Sequence, residues 1–181
     1  GIYCNSSNPT LKNLIINGNT ADLWGGGVML LDSNPTLMNL TISDNSADNG
    51  GAINLNSSSP SLENVTIIGN NASGYGGGIS CNSGSPSLVN VTISGNTAAS
   101  GGGMHLSGSD ATLINSIIWE NSPESIYLSS GSEETLITYS DMQGGWDDGE
   151  GNIDANPLFT DPDNGDFTLQ EASLCIDAGT A

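Results

Sequence analysis

Positive charge is almost missing from this chain: its 181 residues hold one lysine, Lys12, and no arginine against 20 acidic residues, a net charge of −19. Nucleic acids and anionic lipid surfaces are held through Lys and Arg contacts to phosphate, so this composition excludes both as partners. Polyanionic sugars such as pectate or alginate would be repelled too, unless calcium intervened. No run of about 20 apolar residues exists, so nothing inserts directly into a membrane as a helix. With 25 Gly and 7 Pro and no long stretch of 3.6-residue periodicity, helix is nearly excluded as well.

What is present is a repeat. Leu recurs at Leu11, Leu37, Leu62, Leu88 and Leu113, steps of 26, 25, 26 and 25 residues. In lockstep run Asn13, Asn39, Asn64, Asn90 and Asn115, then Ile16, Ile42, Ile67, Ile93 and Ile118, then Asn19, Asn45, Asn70, Asn96 and Asn121. A period in this range signifies a stacked array. Apolar residues alternate with polar ones over short runs, which is the pattern of strands. Three runs per repeat are expected to be strands, as in Val28-Met29-Leu30, Thr36-Leu37-Met38-Asn39 and Leu40-Thr41-Ile42. None can fold alone. Bent into a loop with apolar residues inward, they form one coil of a right-handed parallel β-helix, the hand following from the general rule for parallel crossovers. Asn tolerates a left-handed backbone at the bend between the second and third runs, and stacked Asn side chains can satisfy one another along the axis. The triple glycines at 25–27, 76–78 and 101–103 mark a second corner, where a side chain would crowd the next coil.

Residues 1–140 read as five regular coils plus a degenerate sixth (Ile126, Leu128, Leu136, Tyr139). Residues 141–181 read as an acidic glycine-rich loop followed by a capping segment, with Leu158, Phe159, Phe167, Leu169 and Ile176 available to cover the last coil. Gly1 falls inside the glycine corner of the repeat, so the chain is expected to be a piece of something longer with neighbouring domains. Cys4 and Cys81 share one inward column three coils apart, about 14 Å at ~4.8 Å per coil, too far for a disulfide. They are expected to be buried free thiols. Asn-x-Ser/Thr occurs at Asn5, Asn39, Asn56, Asn64, Asn71 and Asn90, and three of these fall in the corner column, a structural cause for the regularity.

The glycine corners followed by Leu-x-Asn-x-Thr-Ile-x-x-Asn, and the tail Asn156-Pro-Leu-Phe159…Asp161-Pro-Asp163-Asn-Gly-Asp166-Phe167…Cys175-Ile-Asp177-Ala-Gly, resemble secreted bacterial right-handed parallel β-helix repeat proteins of the kind that end in anchor segments. The Gly-Gly-Ala-Ile at 50–53 is also similar to repeats of chlamydial polymorphic outer-membrane adhesins, although Ile-x-x-Asn stands here where those carry Phe-x-x-Asn. The resemblance implies the fold and a secreted or bacterial cell-surface location. It does not choose among adhesins, carbohydrate-active enzymes and passive stalks.

Candidate chemistry is sparse. A polysaccharide lyase of this fold needs a Lys or Arg base, and only Lys12 is available. Hydrolysis needs carboxylates about 5–9.5 Å apart in one cleft. Asp32 and Glu63 lie in different columns, and Asp44 and Glu120 lie three coils apart. His105 is expected outward and solvated. Asp161, Asp163 and Asp166, set around Asn164-Gly165, could wrap calcium, since hard cations take clustered carboxylates; the same pattern also reads as a turn joining two short strands. Trp24 and Tyr75 precede glycine corners two coils apart, about 10 Å, with Asp48-Asn49 between them. They could offer stacking platforms to a neutral glycan, or simply cover their own glycine corners. Outward Thr41, Thr66 and Thr92 form a ladder, and Thr10, Thr36, Ser61, Ser87 and Thr112 a second, the arrangement that ice binding would require. The residues favour a non-catalytic module with a rigid adhesive or stalk surface contacting neutral carbohydrate. A carbohydrate-active enzyme fragment or accessory domain is the alternative, and an ice-binding protein a further one.

Overall fold

The structure is a computed structural model that describes residues 1–132 and 134–179. Six parallel strands form one sheet: Ile2–Asn5, Val28–Leu31, Ile53–Asn56, Ile79–Asn82, Met104–Ser107 and Ile126–Leu128. Each defines one rung. A second sheet stacks Thr10–Asn17, Thr36–Ser43, Ser61–Ile68 and Ser87–Ser94, then continues as split pairs at rungs five and six, Thr112–Ile114 with Ile117–Trp119 and Leu136–Thr138 with Asp141–Met142. Every ladder in these two sheets is parallel and pairs each residue with its equivalent one repeat away, Leu37 with Leu62 and Leu62 with Leu88. This is a parallel β-helix, as the 25–26-residue period requires.

In the first four rungs the expected second and third runs are one continuous eight-residue strand. The bend is still there: Asn13, Asn39, Asn64 and Asn90 sit at its middle with φ of 54–55°. A single left-handed residue turns the side-chain alternation without breaking the hydrogen-bond ladder, so Leu37 and Leu40 both face inward. These exposed Asn side chains bond in file, Asn39 Nδ2 donating to Asn13 Oδ1 at 3.0 Å and Asn90 Nδ2 to Asn64 Oδ1 at 3.2 Å. The third side of the helix lies elsewhere, at Ser46–Asn49 and Asn71–Tyr75, with single bridges continuing it from Trp24 to Asn49 and from Tyr75 to Ser100. Apart from the Trp24 and Tyr75 rings its side chains are small, and its inward positions hold only alanines, Ala47 and Ala72, so it carries little apolar alternation by which to be read.

The interior is a stack of like on like. Cys4, Leu30, Leu55, Cys81 and Leu106 form one buried column, and Ile16, Ile42, Ile67, Ile93 and Ile118 another. Burying each such Leu or Ile contributes about 1.5–3 kcal/mol. Both cysteines of the first column are free, as their spacing dictates. At the glycine corner the backbones approach so closely that a Cβ on Gly77 would lie 2.4 Å from the Thr97 carbonyl oxygen.

A polar column runs beside the core. Buried Asn45, Asn70 and Asn96 each donate through Nδ2 to Oδ1 of the next Asn, at 3.0, 2.9 and 3.0 Å, and the same Oδ1 accepts the preceding backbone N–H. Serine builds a similar file after the first sheet, Ser33 N–H donating to Ser58 Oγ at 3.0 Å and Ser109 N–H to Ser132 Oγ at 3.1 Å.

Parallel pairing continues past position 140, through Asp141–Met142 and a bridge from Asp141 to Ile153. Trp146, from the acidic loop, packs against the end of the core. The following segment runs back along the flank instead of lying across the end. Its antiparallel hairpin, Phe159–Asp161 with Asp166–Leu169, joins through a 3-10 turn at Pro162–Asn164, and the Phe159 and Phe167 rings meet edge to face at 4.9 Å. The hairpin tip shares a cleft with Thr41, Ile68 and Ser94 of rungs two to four. Leu174 and Ile176, two apolar residues of the expected cap region, stay exposed.

Candidate functional site

The corner between the third side and the first sheet carries a groove of about 270 Å³. Trp24, Asn49 and Tyr75 are register neighbours on consecutive rungs, and all three line it. The remaining lining comes from the outward positions of the first sheet, among them Asn54, Ser80 and His105, with Asn56 and Asn82 at the strand ends. Asn49 Oδ1 accepts the Tyr75 backbone N–H at 3.1 Å, which fixes the amide at the rim. Trp24 and Tyr75 are 54% and 51% exposed, so each ring leaves about half its surface to the groove and solvent. The titratable side chains of the lining are His105, the Tyr75 phenol and the Cys81 thiol, whose pKa burial raises, and it holds no Asp, Glu, Lys or Arg.

His105 overturns the solvated placement expected for it. It is 8% exposed, with its ring 4.6 Å from Tyr75 and 5.3 Å from Tyr127, nearly parallel to the latter at 13°. Tyr127 is its register neighbour on the next rung, and Tyr75 reaches it from the corner of the rung before. Burial lowers the imidazole pKa below its ordinary 6.5, with the Glu124 carboxylate pulling the other way. The Glu124 carboxylate also accepts the Gly101 N–H at 2.7 Å. Neutral at pH 7, the ring serves as one member of an aromatic file. Register arithmetic shows this in the sequence once Tyr75 is aligned with Ser100 and not with His105's own column.

A second cleft, of about 570 Å³, lies between the second sheet and the tail, with Tyr139, Asp141, Cys175 and Asp177 on its walls. Asp141 is buried, accepts the Ala155 N–H at 3.1 Å on Oδ1 and the Cys175 thiol at 3.1 Å on Oδ2, and has its pKa raised by burial. Burial and that same bond push the Cys175 thiol up to about 11. With both carboxylate oxygens taken, the pair fastens the tail to the helix.

Asp161 and Asp166 face each other across the hairpin, each in a turn bond: Asp161 Oδ2 accepts Asn164 Nδ2 at 2.9 Å, and Asp166 Oδ1 accepts the Thr168 hydroxyl at 2.6 Å. Asp163 lies between them in the 3-10 turn. Among the described residues no group of three or more His, Cys, Asp or Glu is placed to hold a metal ion. Of the threonine ladders, Thr41, Thr66 and Thr92 align in register but half-buried, with Ser43 and Ser94 beside them covered.

A family described as the right-handed beta helix region matches residues 1–112. The chain belongs to that family. The matched span takes in the first five strands of the first sheet, with Trp24, Asn49, Tyr75 and His105, so the groove of this β-helix protein lies on family coils and its tail beyond them. No curated protein and no solved structure matches the chain.

Proposed function

We propose that this β-helix chain is a non-catalytic module of a secreted or cell-surface protein that contacts neutral carbohydrate through the groove at Trp24, Asn49 and Tyr75. One observation carries this reading: half-exposed aromatic rings stand over a floor of amides and hydroxyls in a groove without a formal charge at neutral pH. Rings stack on the C–H faces of sugars while amides meet their hydroxyls. A volume of 270 Å³ lies near the lower end of the ~300–1,000 Å³ usual for ligand clefts, room for a sugar or two rather than a long chain. The stacked helix behind it is rigid, which suits an adhesive surface. Titration with neutral oligosaccharides tests it: wild type binds, Trp24→Ala loses at least tenfold in affinity, and equal binding by both proteins contradicts the reading.

Hydrolysis is supported less well. The buried carboxylate with a raised pKa, Asp141, has both oxygens engaged by the tail. Ice binding needs a flat open array, and the ladder at Thr41, Thr66 and Thr92 is instead half-buried, with Thr41 lining a cleft under the hairpin. Absence of thermal hysteresis in the intact chain would agree with that.

A further inference from the structure

The aromatic file along the groove has one empty rung. Counting along the first sheet, a ring stands at rung one (Tyr3), rung two (Trp24 at the corner), rung four (Tyr75 at the corner), rung five (His105) and rung six (Tyr127). Rung three instead offers two amides, Asn49 at the corner and Asn54 on the sheet. Trp24 and Tyr75 are therefore two rungs apart, about 10 Å at ~4.8 Å per rung. A ring inserted midway would lie about 5 Å from each, inside the 4.5–7 Å range of stacked rings. The filled rungs give the same spacing, 4.6 Å from Tyr75 to His105 and 5.3 Å from His105 to Tyr127.

The vacancy also holds an under-used polar group. Asn54 is 7% exposed, and the bond its side chain makes, from Nδ2 to the Asn49 carbonyl oxygen, is a long 3.5 Å. A buried amide this weakly paired costs stability until something meets it. It lines the groove at the rung where a ring is missing.

We propose that rung three is a single-ring slot, which takes one pyranose edge-on between Trp24 and Tyr75 with its hydroxyls toward the Asn49 and Asn54 amides. The choice of a sugar rests on the carbohydrate reading above; the slot itself does not. A ring stacked on both faces must be apolar on both, so every hydroxyl has to be equatorial. Among the common hexoses that is the β-gluco configuration, glucose or N-acetylglucosamine. The axial hydroxyl of galactose or mannose, or an α-glycosidic oxygen, projects from one face and meets an aromatic ring. The slot therefore reads a chain end or a branch sugar, not the length of a polymer.

The test is one variant and one set of probes. Asn54→Tyr places in rung three the residue that the same column carries at Tyr127, completing the file. Its melting temperature rises by about 2–6 °C, two new ring contacts in a chain of this size, and it binds no sugar. Wild type binds methyl β-D-glucopyranoside at least about fivefold more tightly than methyl β-D-galactopyranoside or methyl α-D-mannopyranoside, and binds linear β-glucan oligosaccharides no more than about twofold better than the methyl glycoside. An Asn54→Tyr protein with a lowered or unchanged melting temperature overturns the slot, whatever wild type binds. Sugar binding that survives Asn54→Tyr, or that climbs with each added glucose, leaves a glycan surface but overturns the single-ring inference. A raised melting temperature with no sugar bound by wild type keeps the ring-sized vacancy and overturns its assignment to a pyranose.

Discussion

Asn70 donates its side-chain amide to Asn96 Oδ1 at 2.9 Å, and the same Nδ2 reaches back to the Ile42 carbonyl at 3.0 Å, so one side chain ties three successive coils together. Asn64 makes an equivalent link to Asn39 at 3.3 Å on the outside of the helix, in a left-handed conformation with φ of 54°. Two asparagine columns of one repeat thus have different physical reasons to exist.

Their substitutions should differ accordingly. Asn70→Ala leaves buried donors and acceptors on both sides without partners and costs about 3–4 kcal/mol. Asn64→Ala keeps a β-carbon in the left-handed region but loses the polar side chain that lets asparagine tolerate it, and costs about 1–2 kcal/mol, whereas Asn64→Gly relieves the β-carbon strain and lies near zero. Urea unfolding of the three variants checks the order.

His105 gives the helix a pH dependence. Its folded pKa lies below the unfolded value of 6.5, so between the two the unfolded chain binds more protons. The stability it contributes is whole above about pH 6.5 and is lost as pH falls toward the folded value. Asp141, its pKa raised by burial, acts oppositely, since in its window the folded chain binds the extra proton. His105→Phe keeps a ring between Tyr75 and Tyr127 and removes the first effect alone. Its melting temperature should fall less than that of wild type between pH 7.5 and pH 5, and an equal fall would show that His105 does not titrate on unfolding.

The Cys175 thiol should be nearly inert. At a pKa of about 11, roughly one thiol in a thousand is ionised at pH 8, against about a quarter for an ordinary cysteine. Alkylation by iodoacetamide at pH 8 should be slowed by about two orders of magnitude relative to the denatured chain. Asp141→Asn removes the negative charge facing the sulfur and should speed it.

Calcium provides a further check on the hairpin. Asp161 and Asp166 are already occupied by Asn164 and Thr168, so a cation would have to break those bonds. Millimolar calcium should raise the melting temperature no more than magnesium does, and Asp163→Ala should leave that response unchanged. A calcium-specific rise that Asp163→Ala removes would establish the site.

Much of the fold was legible because each rung repeats its inward residues: the columns at Leu37, Ile42 and Asn45 recur at a fixed step, and periodic burial needs periodic sequence. The third side escaped because Ser46–Asn49 and Asn71–Tyr75 pair through backbone and polar side-chain hydrogen bonds, which leave no mark in apolar alternation. The groove was half legible. Trp24, Asn49 and Tyr75 stood out as aromatics and an amide at equivalent positions, but the stacking of His105 required knowing that Tyr75 leans across the corner to the next rung. The tail was read as an end cap from its apolar content, and no local pattern says that it returns along the flank and is tied there by Cys175 to Asp141.

By the proposal above, the groove beside the first sheet binds uncharged sugar by ring stacking. Tryptophan fluorescence during titration with a neutral β-linked glucose oligosaccharide, at 0.05 and 0.5 M NaCl, tests it most directly. A saturable change with the same midpoint at both salt concentrations is expected, absent in Trp24→Ala. A midpoint that moves with salt, or a response that Trp24→Ala retains, would contradict it.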